Sequence, residues 1–150
     1  LWTDKSAARA SFEKFAPLAD IAMMTDGDLA SLYDIPLSET PDALKKFGVA
    51  ESVLKRGEHP CLIFVNGKQL SIPACKVDKV IDTTAAGDSF NAAYLAARLQ
   101  SLSPEDAARC GHLLAAEVIQ QHGAIISQEL MPELNLDSNV LKSSAQTERA

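Results

Sequence analysis

The stretch Lys79-Val-Ile-Asp82-Thr-Thr-Ala-Ala-Gly-Asp88-Ser-Phe90 constrains this chain more than any other. Its pattern predicts a strand that stops at Asp82, a turn of small residues, and a helix that begins near Asp88. The first turn of a helix leaves about four backbone N–H groups without intrahelical partners, and the macrodipole adds roughly half a positive charge there. Ala85, Ala86 and Gly87 carry little or no side chain, so an anion can approach their backbone closely. Asp88 sets a carboxylate beside that anion site. An acid there is electrostatically out of place unless it handles a proton, which makes Asp88 a candidate general base. The competing reading is a plain helix N-cap.

Bulk properties narrow the setting. The chain has 150 residues, enough for one domain with a real core, and 47% of them are hydrophobic. The net charge is -6 with no basic run, which argues against a nucleic-acid surface. The longest apolar runs, such as Leu62-Ile-Phe-Val65, are far too short to span a bilayer. Cys61, Cys75 and Cys110 are odd in number and lack metal-ligand spacing, which predicts reduced thiols in a cytoplasmic protein. There is no signal-peptide pattern. The start at Leu1-Trp2, with a helical pattern at once, reads as the later part of a longer protein.

In chain order, Thr3 or Asp4 caps a helix running to about Phe15, with Ala8, Phe12 and Phe15 on one face. Ala19 to Met24 reads as a short buried strand. The turn Thr25-Asp-Gly-Asp28 follows, then a helix from Leu29 to about Tyr33: a βα unit of a parallel sheet, where sites lie at strand C-termini. Thr40-Pro-Asp42 starts a helix ending near Phe47-Gly48. Glu51 to Lys55 is a second strand. Asn66-Gly67, between Cys61–Val65 and Lys68–Ile72, predicts a hairpin with a type I′ turn. The helix after Asp88 runs to about Leu102, and its near absence of charge predicts burial against the sheet. Ser103-Pro-Glu-Asp106 starts the next helix, with Gly123 as its C′ residue. Ala124 to Ile126 reads as a last short strand. Beyond Pro132 the composition turns polar and charged, and residues 133–150 read as a disordered tail.

These residues match a known pattern. Asp82-Thr-Thr-Ala-Ala-Gly-Asp88 resembles the second signature of the ribokinase-like carbohydrate kinases of phosphofructokinase-B type, usually D-T-x-G-A-G-D. Val80 to Phe90, Gly111-His-Leu113, Gly123-Ala-Ile-Ile126 and Asp20-Ile-Ala22 resemble the branch that acts on 2-keto-3-deoxygluconate. The resemblance covers about residues 1–132. It implies the C-terminal, nucleotide-binding part of a three-layer α/β/α sandwich, in a chain about twice as long.

The resemblance also implies roles. Asp88 would be the base that takes the proton from the sugar hydroxyl as it attacks the γ-phosphate of ATP, and would so touch the substrate. The backbone N–H groups of Ala85, Ala86, Gly87 and Asp88 would form an anion hole. Lys55-Arg-Gly-Glu-His-Pro60 lies where the family has its nucleotide loop: Gly57 would let backbone approach ATP, with Lys55 or Arg56 near its phosphates or ribose, and Glu58, His59 and Pro60 completing the loop. Asp82 and Thr84 match positions that help bind a monovalent cation in some members. Mg²⁺ would accompany ATP. The implied reaction is ATP-dependent phosphorylation of ketodeoxygluconate at its 6-hydroxyl. The alternatives are another ribokinase-like sugar or nucleoside kinase, or a noncatalytic nucleotide-binding fragment. The implied partners are ATP and a small sugar acid, without nucleic acid or membrane, in a protein that forms homo-oligomers.

The chain departs from the pattern twice. Ala85 replaces the usual Gly, and alanine reaches φ > 0 less cheaply. Thr25-x-x-Asp28 stands where many relatives have N-x-x-E, which organises Mg²⁺ through water; Asp28 keeps a carboxylate one methylene shorter. Plainer readings stand beside these. Asp28 can simply favour its helix start, Thr83 and Thr84 can be turn residues, and Lys55 and Arg56 can be solvated charge. His59, His112 and His122 form no metal constellation, and His112 reads as a packed or surface residue.

Overall fold

The computed structural model describes residues 4–134. The reading of Trp2 and Thr3, and nearly all of the expected tail, lies outside them. The chain divides into two compact units, Leu1–Pro73 and Ala74–Ala150.

The first unit is built on a mixed sheet. Its strands are β1 (Ile21–Thr25), β2 (Glu51–Lys55), β3 (Cys61–Val65) and β4 (Lys68–Ile72), in the order β1-β2-β3-β4. β1 and β2 run parallel, with Thr25 opposite Lys55. The later pairs are antiparallel. Parallel neighbours need a crossover, and helices α2 (Asp26–Tyr33) and α3 (Thr40–Lys45) supply it. Leu29, Leu44, Leu54, Leu62 and Phe64 form the core on that side, flanked by Met24, Tyr33, Ala43 and Phe47. The hairpin forms as the sequence predicts. Asn66 and Gly67 both take positive φ, 51° and 71°, as a type I′ turn requires.

Helix α1 (Lys5–Phe15) is capped by Asp4, whose carboxylate accepts from the Ser6 N–H. Asp34, at the end of α2, accepts from Lys5 Nζ at 2.7 Å and from the Arg9 guanidinium, joining α1 to α2. Helix α2 begins at Asp26, earlier than Leu29, because Thr25 caps it.

The second unit is a helix pair, α4 (Ala86–Leu99) and α5 (Pro104–Val118). Ser103 caps α5 by accepting from the Asp106 N–H. Phe90, Ala93, Tyr94 and Ala97 form the buried stripe of α4, at helical spacing. Phe90 lies over Gly111, and its ring makes a T-shaped contact with the His112 ring at 5.1 Å between centroids, so His112 takes the packed of its two expected settings.

Four expectations in this unit are corrected. No strand precedes Asp82: the Ile81 and Asp82 N–H groups instead donate to the Ile119 carbonyl at 2.8 and 3.2 Å. Ala124 to Ile126 is not a strand either, and Ile125 is 88% exposed. A strand needs a neighbour to satisfy its N–H and C=O groups, and neither segment has a ladder partner among the described residues. Helix α4 stops at Leu99, short of the expected end near Leu102. Lastly, α5 stops at Val118, so Gly123 lies beyond the C′ position.

Candidate functional site

Each unit holds candidate residues of its own. In the second, the helix begins at Ala86, two residues before the expected start. Ala85 occupies the N-cap position with φ 60° and ψ 11°, a left-handed conformation uncommon for a residue with a Cβ. That bend turns the chain sharply into α4. Asp88 therefore sits at the third helical position, exposed, and is not the N-cap. The capping alternative is thus removed, although the macrodipole still favours a carboxylate there.

The backbone donors of this turn are partly committed. The Ala86 N–H reaches the Thr83 carbonyl at 3.2 Å, a long bond that a bound anion can share. The Ala85 carbonyl accepts from the Ser89 N–H at 2.9 Å, closing the first turn of α4.

Asp82 lies under the turn. Its Oδ1 accepts from the Thr84 N–H and its Oδ2 from the Gly123 N–H, both at 2.9 Å. The Thr84 side chain and backbone, followed by the Gly123 N–H, hold the Asp82 carboxyl at about 2. The Asp82 carboxylate and the Thr84 N–H are thus brought together. The supporting roles of the Ile119 carbonyl and the Gly123 N–H escaped the sequence reading. The match of Gly123 to Ile126 was the one signal that could have pointed to them.

In the first unit, the parallel pairing of Thr25 with Lys55 sends the Asp28 turn and the Lys55–Pro60 loop out of the same end of the sheet. This is the carboxyl end of the parallel strands, where open α/β sheets bind ligands. Thr25 Oγ1 accepts from the Asp28 N–H at 3.0 Å, so Thr25 acts as a cap. The Asp28 carboxylate is exposed and borders a cleft of about 350 Å³ that Lys5, Met23, Met24 and Ser31 also line. Arg56 to His59 form a tight turn, with the His59 N–H donating to the Arg56 carbonyl at 3.0 Å. Gly57 has φ 58° and open space where a Cβ would stand. The turn therefore favours glycine for its conformation, not for lack of room. Arg56 itself reaches the Pro60 carbonyl at 3.5 Å. Gly57, Glu58, His59 and Pro60 are exposed, and Lys55 and Arg56 are half-buried.

Among the described residues no group of three or more His, Cys, Asp and Glu could hold a metal ion. Burial pushes the Cys61 thiol up to about 11, which makes it unreactive. No described helix is long and apolar enough to cross a membrane.

A parallel βα unit in the first unit and a helix pair in the second make this an α/β protein. The model of the pfkB family carbohydrate kinases matches residues 1–131, and the chain belongs to that family. It is 44% identical over 136 residues to the 2-dehydro-3-deoxygluconokinase of Dickeya dadantii, covering 88% of this chain and 44% of that protein. A probable sugar kinase from Rhizobium etli superposes with a TM-score of 0.75 at 25% identity, over 93% of this chain and 41% of the other. An Escherichia coli protein solved with ATP and Mg²⁺ superposes with a TM-score of 0.70 at 20% identity, over 97% of this chain and 44% of the other. The fold is therefore the α/β fold of ribokinase-like kinases, present in part. The chain spans under half the length of these relatives.

Proposed function

We propose that the protein to which this chain belongs transfers the γ-phosphoryl group of ATP to the 6-hydroxyl of 2-keto-3-deoxygluconate, giving 2-keto-3-deoxy-6-phosphogluconate and ADP. The observation that carries the reading is the start of α4. Asp88 stands exposed at its third position, behind a left-handed Ala85 that bends the chain into the helix. The likeness to 2-dehydro-3-deoxygluconokinases supports this choice of sugar.

In this reading Asp88 accepts the proton of the sugar hydroxyl while that oxygen forms its bond to the γ-phosphorus. The bond to the ADP oxygen breaks, and the proton passes from Asp88 to solvent. The N–H groups of Ala85, Ala86, Gly87 and Asp88 face the charge on the transferring group, where phosphoryl transfer needs stabilisation. The Lys55–Pro60 loop holds the nucleotide. Mg²⁺ neutralises phosphate charge when bound. Among the described residues Asp28 belongs to no group of three or more metal-ligating side chains, which fits an ion carried mainly by phosphates and water, not by a protein cage. The proposal includes a monovalent cation beside Asp82 and Thr84, where it would share the carboxylate with two backbone N–H groups. No step depends on it. The soluble partners are ATP and a sugar acid, and the reading extends to a cytoplasmic homo-oligomer.

The test uses a protein of the relatives' full length that carries this chain. Asp88→Asn should lower kcat by about 10²- to 10⁴-fold while ATP binding, measured by calorimetry, stays close to the parent's. An Asp88→Asn variant as active as the parent would remove Asp88 as the base.

A further inference from the structure

Four hydrogen bonds lace Ile81–Thr84 to itself and to the segment after α5. The Ile119 carbonyl accepts from the Ile81 and Asp82 N–H groups, and the Asp82 carboxylate accepts from Thr84 and from Gly123, 41 residues away. The next residue, Ala85, is held in a left-handed conformation that alanine rarely adopts by itself. Such a conformation persists only where its surroundings over-determine it. We infer that Asp82 is a positioning residue: by gripping the Thr84 and Gly123 N–H groups together, it fixes the turn that aims the backbone donors of Ala85 to Asp88.

The chemistry suits a carboxylate. Two charge-assisted bonds to backbone N–H groups use one oxygen each. An asparagine keeps a single acceptor oxygen, and its amide NH₂ would meet one of the two donors head-on. A local turn role would engage Thr84 alone; the bond to Gly123 makes the carboxylate a bridge. If the bridge is lost, Ala85 can relax toward right-handed or extended backbone, and the peptide N–H groups after it rotate away from a common target. The catalytic consequence rests on the kinase reading above, whereas the bridge itself does not.

Two measurements separate these. In the 150-residue chain, amide hydrogen exchange followed by NMR should find the Thr84 and Gly123 amides protected. Asp82→Asn should speed both by at least about tenfold, leaving the Tyr94 and Leu114 amides of the helix pair unchanged. A parent whose Gly123 amide exchanges at the unprotected rate overturns the inference, and that result needs no variant to fold. Unchanged exchange at both amides in Asp82→Asn overturns it too. In a protein of full relative length, Asp82→Asn should lower kcat by about 10- to 100-fold with KM for ATP within about twofold, because the donors act on the transition state. An unchanged kcat, or a change confined to KM, rejects the positioning role. A parent that phosphorylates no sugar rejects the kinase reading instead, and the exchange result still decides the bridge.

Discussion

Ala85 carries a local cost at φ 60°. A left-handed alanine loses about 1–2 kcal/mol, while a glycine there gives back about 0.4–1 kcal/mol through the freer unfolded chain. Relief of strain is the larger effect, so Ala85→Gly should stabilise the protein by about 0.5–1 kcal/mol, read from urea denaturation midpoints. Gly111 poses the opposite case. A Cβ there would stand 2.8 Å from Phe90 Cδ2, and the Phe90 ring is itself buried between Tyr94 and His112. With little room for that ring to yield, Gly111→Ala should cost about 1–3 kcal/mol on the same measurement. Asp88 shows a third kind of residue effect. It was legible as an acid at a helix start, but whether it caps the helix depended on where the helix starts. The left-handed Ala85 moves that start to Ala86 and leaves Asp88 free of a capping duty.

Among elements, local chemistry accounts for most of what formed as expected. Asp4 and Ser103 cap α1 and α5 because a short polar side chain can reach an unpaired N–H two or three residues on. Asn66-Gly67 turns the hairpin because both positions require φ > 0. Other contacts join elements distant in sequence. The Lys5 hydrogen bond, then Arg9, hold the Asp34 carboxyl below its ordinary value of 3.8. A depressed folded-state value means that the clasp of α1 on α2 contributes fully above that ordinary value. The contribution is lost as pH falls below 3.8 and through the depressed value. Thermal midpoints measured from pH 6 down to the acid limit should therefore drop more for the parent than for Asp34→Asn. The difference should be small, because the pair is solvent-exposed, and smaller still in high salt. Equal pH dependence of the two proteins would mean that the clasp contributes nothing.

For the whole molecule, the chain covers 44% of the length of the Dickeya relative. On the proposed reading, turnover and sugar choice are tested in a protein of the relatives' length. Compared as kcat/KM in a protein of that length, ketodeoxygluconate should exceed ribose, fructose and adenosine by about 10²-fold or more, since a site built to bond a sugar acid's polar groups rejects analogues that leave them unpaired. A preference for any of the other three would replace the proposed substrate while keeping the reaction.

The sequence alone determined the family, the βα unit around Thr25, the hairpin, the caps of α1 and α5 and the residues gathered at the start of α4. Each depends on residues within a few positions of one another, where backbone preference and hydrogen-bonding reach decide the outcome. Tertiary structure decided the rest. Whether Val80 to Asp82 and Ala124 to Ile126 become strands depends on a neighbouring strand, which short-range pattern cannot supply. Gly123 reads locally as a helix terminator, yet its N–H serves the Asp82 carboxylate 41 residues earlier. The stretch from Asp82 to Asp88 was legible as a turn of small residues leading into a helix. The left-handed Ala85 and the carboxylate grip beneath it became visible only in three dimensions, because both satisfy backbone groups through partners that local sequence does not name.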